Sequence, residues 1–378
     1  MDNLVATKEN DYHPSSDITM DEDYHKKTKK IQAETLRCSY SVAFEQVKLM
    51  KFSEDSSTPV CFLDLGCADG LNSIPLFQGL VRTLRSKGVD RPVLVVFEDQ
   101  ARNNFDDIHK FQPNLFGDNC FPMTTSIGFF NCTVPPGTVH LSFSSHSMHY
   151  LSRPPPCNFI TSGLKDTDAS GEERKLFAKA AAEDWEKILL ARAKELVEGG
   201  RAVISNLCID ERGWYYSSTD RGASLYSEIS DCMRSMVSDG LLTPLEFEWA
   251  TSPEYYRTIE EMETPFKDPN SPVRRAGLLL ESAATQITRC PLREEWLAGK
   301  FDDPLQYGRK FAYTVTSFTY NKLARAFEHE GNQRSEAERK DLLAKIFERL
   351  AQRVAANPEH FGIDTVSYVM VLTKTSII

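Results

Sequence analysis

Residues 60–74, VCFLDLGCADGLNSI, constrain this chain more than any other stretch. Val60 to Leu65 is a short apolar run of strand type, and the turn Gly66-Cys-Ala-Asp-Gly70 breaks it sharply before Asn72 to Leu76 leads into a helical pattern. A strand buried in a parallel sheet reads as a continuous hydrophobic run, and glycines at its end let the backbone pass close to a ligand. In open α/β sheets ligands bind beyond the carboxyl ends of the strands. Asp64 and the turn through Gly66 and Gly70 are therefore expected to line a small-molecule site. The spacing D-x-G-x-x-x-G is wider than the G-x-G-x-x-G of dinucleotide folds, which turns the expectation away from NAD.

Strand and helix signals alternate from there. A second buried strand, Val93 to Phe97, follows about one βαβ unit later and ends at Glu98 and Asp99. The spacing predicts helices over 24–50, 72–86 and 102–112, a weaker strand over 124–130, and a fourth strand over 139–144 after the turn Pro135-Pro136-Gly137. A proline-rich loop at 153–171 precedes a helix from Phe177 to Val197, closed by Gly199-Gly200, and a fifth strand from Arg201 to Leu207. The alternation then stops. Residues 209–274 read as mostly helical, and strand character returns at 277–288 and 366–372 with helices at 305–328 and 335–355 between. The expected organisation is a flexible tail (1–20), an α/β core with an N-terminal helix (21–208), a helical cap (209–274) and a segment that completes the sheet and adds cap helices (275–378). A cap over the carboxyl edge of a sheet would close the site and exclude water.

Composition removes several function classes. A formal net charge of −10 and a pI near 5.4 exclude a binder of nucleic-acid backbone. The nine cysteines contain no C-x-x-C pair and no zinc spacing, so no metal is expected and buried thiols in a reducing, cytoplasmic setting are. No stretch approaches the roughly 20 apolar residues a membrane span needs.

The strand ends carry the chemistry. A turn to hold an amino-acid end, an acid for ribose hydroxyls and a platform for adenine are the parts a methyltransferase needs for S-adenosyl-L-methionine (SAM). Asp64 with Gly66–Gly70 supplies the first, Asp99 or its neighbour Glu98 the second, and Ser126-Ile127 the third.

The segment His140-Leu-Ser-Phe-Ser-Ser-His-Ser-Met-His-Tyr-Leu-Ser-Arg-Pro154 resembles the signature H-S-S-Y-S-L-M-W-L-S-x-x-P of the SABATH family, the plant salicylate, benzoate and theobromine-type methyltransferases. Asp64-Leu-Gly-Cys-Ala-Asp-Gly-Leu-Asn72 is similar to the family's D-L-G-C-S-S-G-x-N, and Glu98-Asp99 with Asn104-Phe105 to its N-D-L-P-x-N-D-F. Ser126 with Phe129-Phe130 resembles its S-F-Y, and similarity continues through Glu195–Arg201 and Met236–Leu241. The resemblance implies a class I, Rossmann-like, mixed seven-stranded sheet with an inserted helical cap over the acceptor site. It implies SAM as cofactor and methyl transfer to the carboxylate of a small acid, with N-methylation or silent SAM binding as alternatives, and a homodimer. By that resemblance the cofactor contacts are Tyr24, Thr28, Asp64, Gly66, Asn72, Asp99, Ser126 and Ile127. The family Gln that tethers the acceptor carboxylate falls on Ile31, with Gln32 one place later; the family Trp falls on Tyr150, its Tyr on His146 and its Met on His149. Tyr150 keeps an aromatic wall with a polar tip, and His146 and His149 are candidates to orient an acceptor or take its proton. Trp214, Tyr215 and Tyr255 fall where the family places its aromatic acceptor pocket.

Overall fold

The computed structural model describes residues 24–52, 57–110, 115–153, 163–169, 171–222, 224–329 and 331–376, without the side chains of 24–33, 37, 38 and 107. The expected tail at 1–20 lies outside the described residues. The strands are β1 (Val60–Leu65), β2 (Val93–Glu98), β3 (Cys120–Thr125), β4 (Val139–Ser145), β5 (Leu196–Ile209), β6 (Arg257–Thr258), β7 (Leu278–Thr288) and β8 (Thr365–Lys374). The helices are α1 (Tyr24–Leu49), α2 (Ile74–Ser86), α3 (Asp106–Lys110), α4 (Gly171–Glu195), α5 (Leu225–Ser238), α6 (Pro244–Trp249), α7 (Ile259–Lys267), α8 (Pro272–Arg275), α9 (Pro291–Leu297), α10 (Pro304–Ala324) and α11 (Glu336–Ala356).

The sheet runs β3-β2-β1-β4-β5-β8-β7, with the two-residue β6 pairing β5 off that path. β8 is antiparallel to both of its neighbours, and the other pairings are parallel. The chain steps outward from β1 to β3 and then returns to place β4 on the other side of β1. Adjacent strand ends diverge there, which is where open α/β sheets bind ligands. Every residue of β1 is buried, as the apolar run requires.

One face of the sheet is covered by α1 and α2, whose Leu36, Val47, Phe77 and Leu80 pack on Phe62, Phe97 and Phe143. The other carries α4, α7 and α8: Trp185, Ile188, Met262, Phe266 and Val273 pack on Leu63, Ile204 and Met370. The stretch 209–274 therefore divides. Its later helices lie on the sheet, while α5 and α6 join α10 and α11 in a separate core of Ile229, Met233, Phe247, Phe311, Ile346 and Leu350. α10 also packs against α1.

Three local expectations change. The helix expected over 102–112 is only the short α3. The third strand is 120–125 rather than 124–130; Pro122 hides it in the sequence but is tolerated because β3 is an edge strand. Gly199-Gly200 does not end a helix. α4 stops at Glu195, and the pair sits inside β5, where the register with β4 jumps from Val139↔Leu196 to Leu141↔Arg201. Gly199 has φ +74° and a Cβ on Gly200 would lie 2.9 Å from the Val139 carbonyl oxygen, so the glycines form a bulge.

The closest approach in the cap is α10 to α11, where a Cβ on Gly308 would sit 2.2 Å from the Ala351 carbonyl oxygen. Backbone cannot yield as a side chain can, so Gly308→Ala is expected to cost about 1–3 kcal/mol of stability while leaving S-adenosylhomocysteine affinity intact. Urea unfolding with an unchanged midpoint would show that the two helices separate easily.

Candidate active site

Beyond β1, Gly66, Ala68 and Gly70 take left-handed backbone angles, with φ of +73°, +52° and +76°. Glycine is required at 66 by the angle and by space, since a Cβ there would lie 2.2 Å from Ser147 Oγ. Ala68 is strained in that region and is pinned on both sides: its N–H donates to Asp99 Oδ2 at 2.7 Å and Asn103 Nδ2 donates to its carbonyl at 2.5 Å. Asp99 Oδ1 accepts from Gln100 N at 2.8 Å. Next to it Glu98 is fully buried, with Oε2 accepting from Gly66 N at 3.3 Å and Oε1 from Gly128 N at 3.0 Å. Asp64 is buried and its Oδ2 has no hydrogen-bond partner among the described residues. Burial pushes the Asp64 carboxyl up to about 7, Asp99 adding to it and a Ser73 hydrogen bond opposing. Burial and Asp99 push Glu98 up to about 8, against Arg192 and the two glycine N–H groups. Ser126 and Ile127 follow β3 on the surface, and the Asn72 carbonyl accepts from the Tyr40 hydroxyl. Tyr24, Thr28, Ile31 and Gln32 lie on α1, and their side chains fall outside the described residues.

Across the switch point, β4 is followed directly by His146, also left-handed with φ +55°. Its Nε2 lies 2.8 Å from Ser367 Oγ, and burial pushes the ring down to about 4, so it is neutral at pH 7. Ser147 Oγ donates to the Gly66 carbonyl at 3.0 Å and ties the two strand ends together. The His149 ring lies 4.7 Å from Tyr150 and 5.8 Å from Tyr256; its Nε2 is 3.8 Å from Glu254 Oε2 and its buried Nδ1 has no hydrogen-bond partner among the described residues. Burial, together with Lys165 and Lys322, holds His149 well below the usual histidine range although Glu254 opposes it.

Glu254 is the centre of a buried charge network. It bridges to Tyr150 through the backbone, ion-pairs with Lys322, and lies 3.4 Å from Lys165 Nζ. Lys165 Nζ is in turn 2.8 Å from Asp166 Oδ1 and 3.7 Å from the centre of the Tyr256 ring. Lys322 Nζ donates to the Tyr226 hydroxyl at 3.0 Å and lies 5.0 Å from the Tyr150 ring centre. Burial raises the Glu254 carboxyl, but Lys322, Lys165 and His149 outweigh it and hold the group well below the usual carboxylate range. Burial lowers Lys322, and Glu254 outweighs that too, so the ammonium is charged at neutral pH.

The three aromatics expected near an acceptor are spread apart. Tyr215 lies 6.3 Å from Tyr256, ring to ring. Trp214 is stacked under the Arg212 guanidinium at 3.8 Å. Tyr255 is buried in a satellite core with Leu151, Phe177 and Ala181, its hydroxyl donating to Glu261 at 2.9 Å, and it is Tyr256 that faces His149.

Residues 19–375 match the family model of the SAM dependent carboxyl methyltransferases. The chain belongs to that family. A probable S-adenosylmethionine-dependent methyltransferase of Arabidopsis thaliana is 22% identical over 358 residues, 90% of either chain. Jasmonate O-methyltransferase of the same plant is 24% identical over 62% of this chain and 69% of its own, and loganic acid O-methyltransferase of Catharanthus roseus 23% identical over 55% and 58%. A solved loganic acid methyltransferase with S-adenosylhomocysteine (SAH) superposes with a TM-score of 0.73 at 19% identity, covering 94% of this chain and 97% of that one. The fold is thus the class I methyltransferase fold.

The turn fits SAM. Asp64 offers a buried acceptor whose Oδ2 is unused among the described residues, the turn's glycines let it pack directly on Ser147 and Ile108, and Asp99 follows the end of the neighbouring strand. Sequence reasoning did not find Lys165, Tyr226, Glu254, Tyr256 or Lys322. One signal was present: Lys322 is in helical phase with the buried Phe311 and Val315 of α10, so a lysine occupies a core-facing position. For the methyltransferase, Asp99→Ala removes the carboxylate expected to face the ribose and releases the Ala68 and Gln100 N–H groups. SAH affinity is expected to fall by about 2–4 kcal/mol; calorimetry showing unchanged binding would mean the ribose lies elsewhere.

Proposed function

We propose that this methyltransferase forms a methyl ester on the carboxylate of a small acid. Relatives whose names specify jasmonate, farnesoic acid and loganic acid as acceptors support the reaction type. The observation that carries the reading is the buried Lys322 ammonium against the Tyr150 hydroxyl. Where the family has an amide, this chain has Ile31, and a buried carboxylate with too few donors is costly. From beside the ring Lys322 can donate to the Tyr150 oxygen, and the tyrosine proton is then left to donate to an acceptor. Burial pushes the Tyr150 hydroxyl up, Lys322 opposing, so it keeps that proton at neutral pH. The tyrosine O–H then does the work of the family's indole N–H, with a positive charge behind it.

SAM when bound supplies an electrophilic methyl group on a sulfonium. The protein's share is to hold the acceptor in line and keep water out. A carboxylate is already an anion at neutral pH, so no general base is required. Methylation of a nitrogen is the second reading, and the buried Nδ1 of His149, without a hydrogen-bond partner among the described residues, favours it as a proton acceptor.

A transfer screen of labelled SAM against pools of carboxylic acids and amines tests the choice. The product is expected to be labile to mild base, as an ester is; a base-stable product overturns the carboxylate reading. Tyr150→Phe, which removes only the hydroxyl, is expected to lower kcat/KM for that acceptor by about tenfold or more, about 1.4 kcal/mol. The rate should also fall at pH low enough to protonate the acid, and a rate that climbs there would contradict an anionic acceptor.

A further inference from the structure

We propose that Glu98 is a positioning residue for the cofactor, its carboxylate clamping the turn after β1 to the turn after β3. β2 lies between β1 and β3 in the sheet, and Glu98 closes it with one carboxylate oxygen turned to each flank: Oε1 accepts from Gly128 N at 3.0 Å, and Oε2 at 3.3 Å shares Gly66 N with the Glu98 carbonyl, which accepts it at 2.8 Å. Both donors belong to left-handed glycines, at φ +73° and +86°, so the N–H directions are fixed by the turns themselves. Gly66 opens the Asp64 turn, and Gly128 follows directly on Ser126 and Ile127. From below, Arg192 donates to the Phe129 and Asn131 carbonyls at 2.8 Å each and is itself held by Glu195 at 2.6 Å. The 128–131 loop is thus gripped on two sides. An amide at 98 could not do the same, because its NH₂ would face one of the two N–H groups.

The resembling family motif carries Asn at this position, so Glu98 adds a negative charge to an already crowded site. Facing it are Asp99, the next residue in the chain, Cys67 in the turn, which also feels Asp64 and Asp69, and Arg192 on α4. A ligand that brings a sulfonium and an ammonium favours the ionised form of such a carboxyl. Without ligand Glu98 is pushed up to about 8, so below that pH the free site holds a proton that binding releases to the buffer. The sign follows: SAM affinity rises as pH rises toward 8 and levels off above it. Asp64, pushed up to about 7, titrates beneath it. SAH lacks the sulfonium charge and should release fewer protons.

The test is calorimetry of the full chain with SAM and with SAH, without acceptor, in buffers of different ionisation enthalpy at neutral pH. In the wild type the observed enthalpy should vary with buffer, showing proton release, more for SAM than for SAH. Glu98→Gln should bind SAH about tenfold or more weakly and lose the limb near pH 8, whereas Asp64→Asn should keep that limb. A buffer-independent enthalpy in the wild type overturns the proposal even if no variant folds. So does a folded Glu98→Gln protein with wild-type affinity, or one whose weakened binding still releases the same protons, as a merely structural glutamate would.

Discussion

A carboxylate taken fully out of water survives ionised only when cations come with it, and the join between sheet and cap rests on such a group. Glu254 is buried completely, and its partners arrive from separate parts of the chain: Lys165 from the segment before α4, Lys322 from α10 in the cap, His149 and Tyr150 from the end of β4. Removing one partner of a buried pair typically costs about 3–5 kcal/mol, while the pair itself adds little over well-packed apolar side chains. Its importance here is therefore geometric. It holds a charged lysine beside the tyrosine onto which the resemblance places the family tryptophan.

The cofactor side is built on the opposite principle. It depends on backbone shape, with three left-handed residues in one short turn and carboxylates that receive N–H groups rather than cations. Asp64, Glu98 and Asp99 are all raised by burial first, a state suited to a cationic ligand. Ser147 joins the two sides through the Gly66 carbonyl, so the position of the turn and that of the β4 end are not independent.

How much of this was legible in the sequence follows from separation along the chain. β1, its turn and β2 could be read because each is set by neighbours in sequence: an apolar run, glycines where the backbone turns left-handed, acids at the strand end. β3 was misplaced because Pro122 and exposed Phe121 and Met123 are edge-strand features that resemble a loop. The Gly199-Gly200 bulge looked like a helix stop because the same residue serves both purposes. The Lys165–Glu254–Lys322 network was not legible. Each member is a single charge in a mixed segment, and only the packing of α10 over the β4 end brings them together.

In the proposed reaction Lys322 acts on the acceptor through the Tyr150 hydroxyl. A double-mutant cycle measures it: kcat/KM for the acid returned by a transfer screen, in Tyr150→Phe, Lys322→Met and the combined variant, with SAH affinity as the check on folding. Strong coupling is expected, at least about 1 kcal/mol, so that losing the lysine does little further harm once the hydroxyl is gone. Independent, additive losses with intact SAH binding would contradict it, and would mean that lysine and tyrosine serve the acceptor separately or not at all.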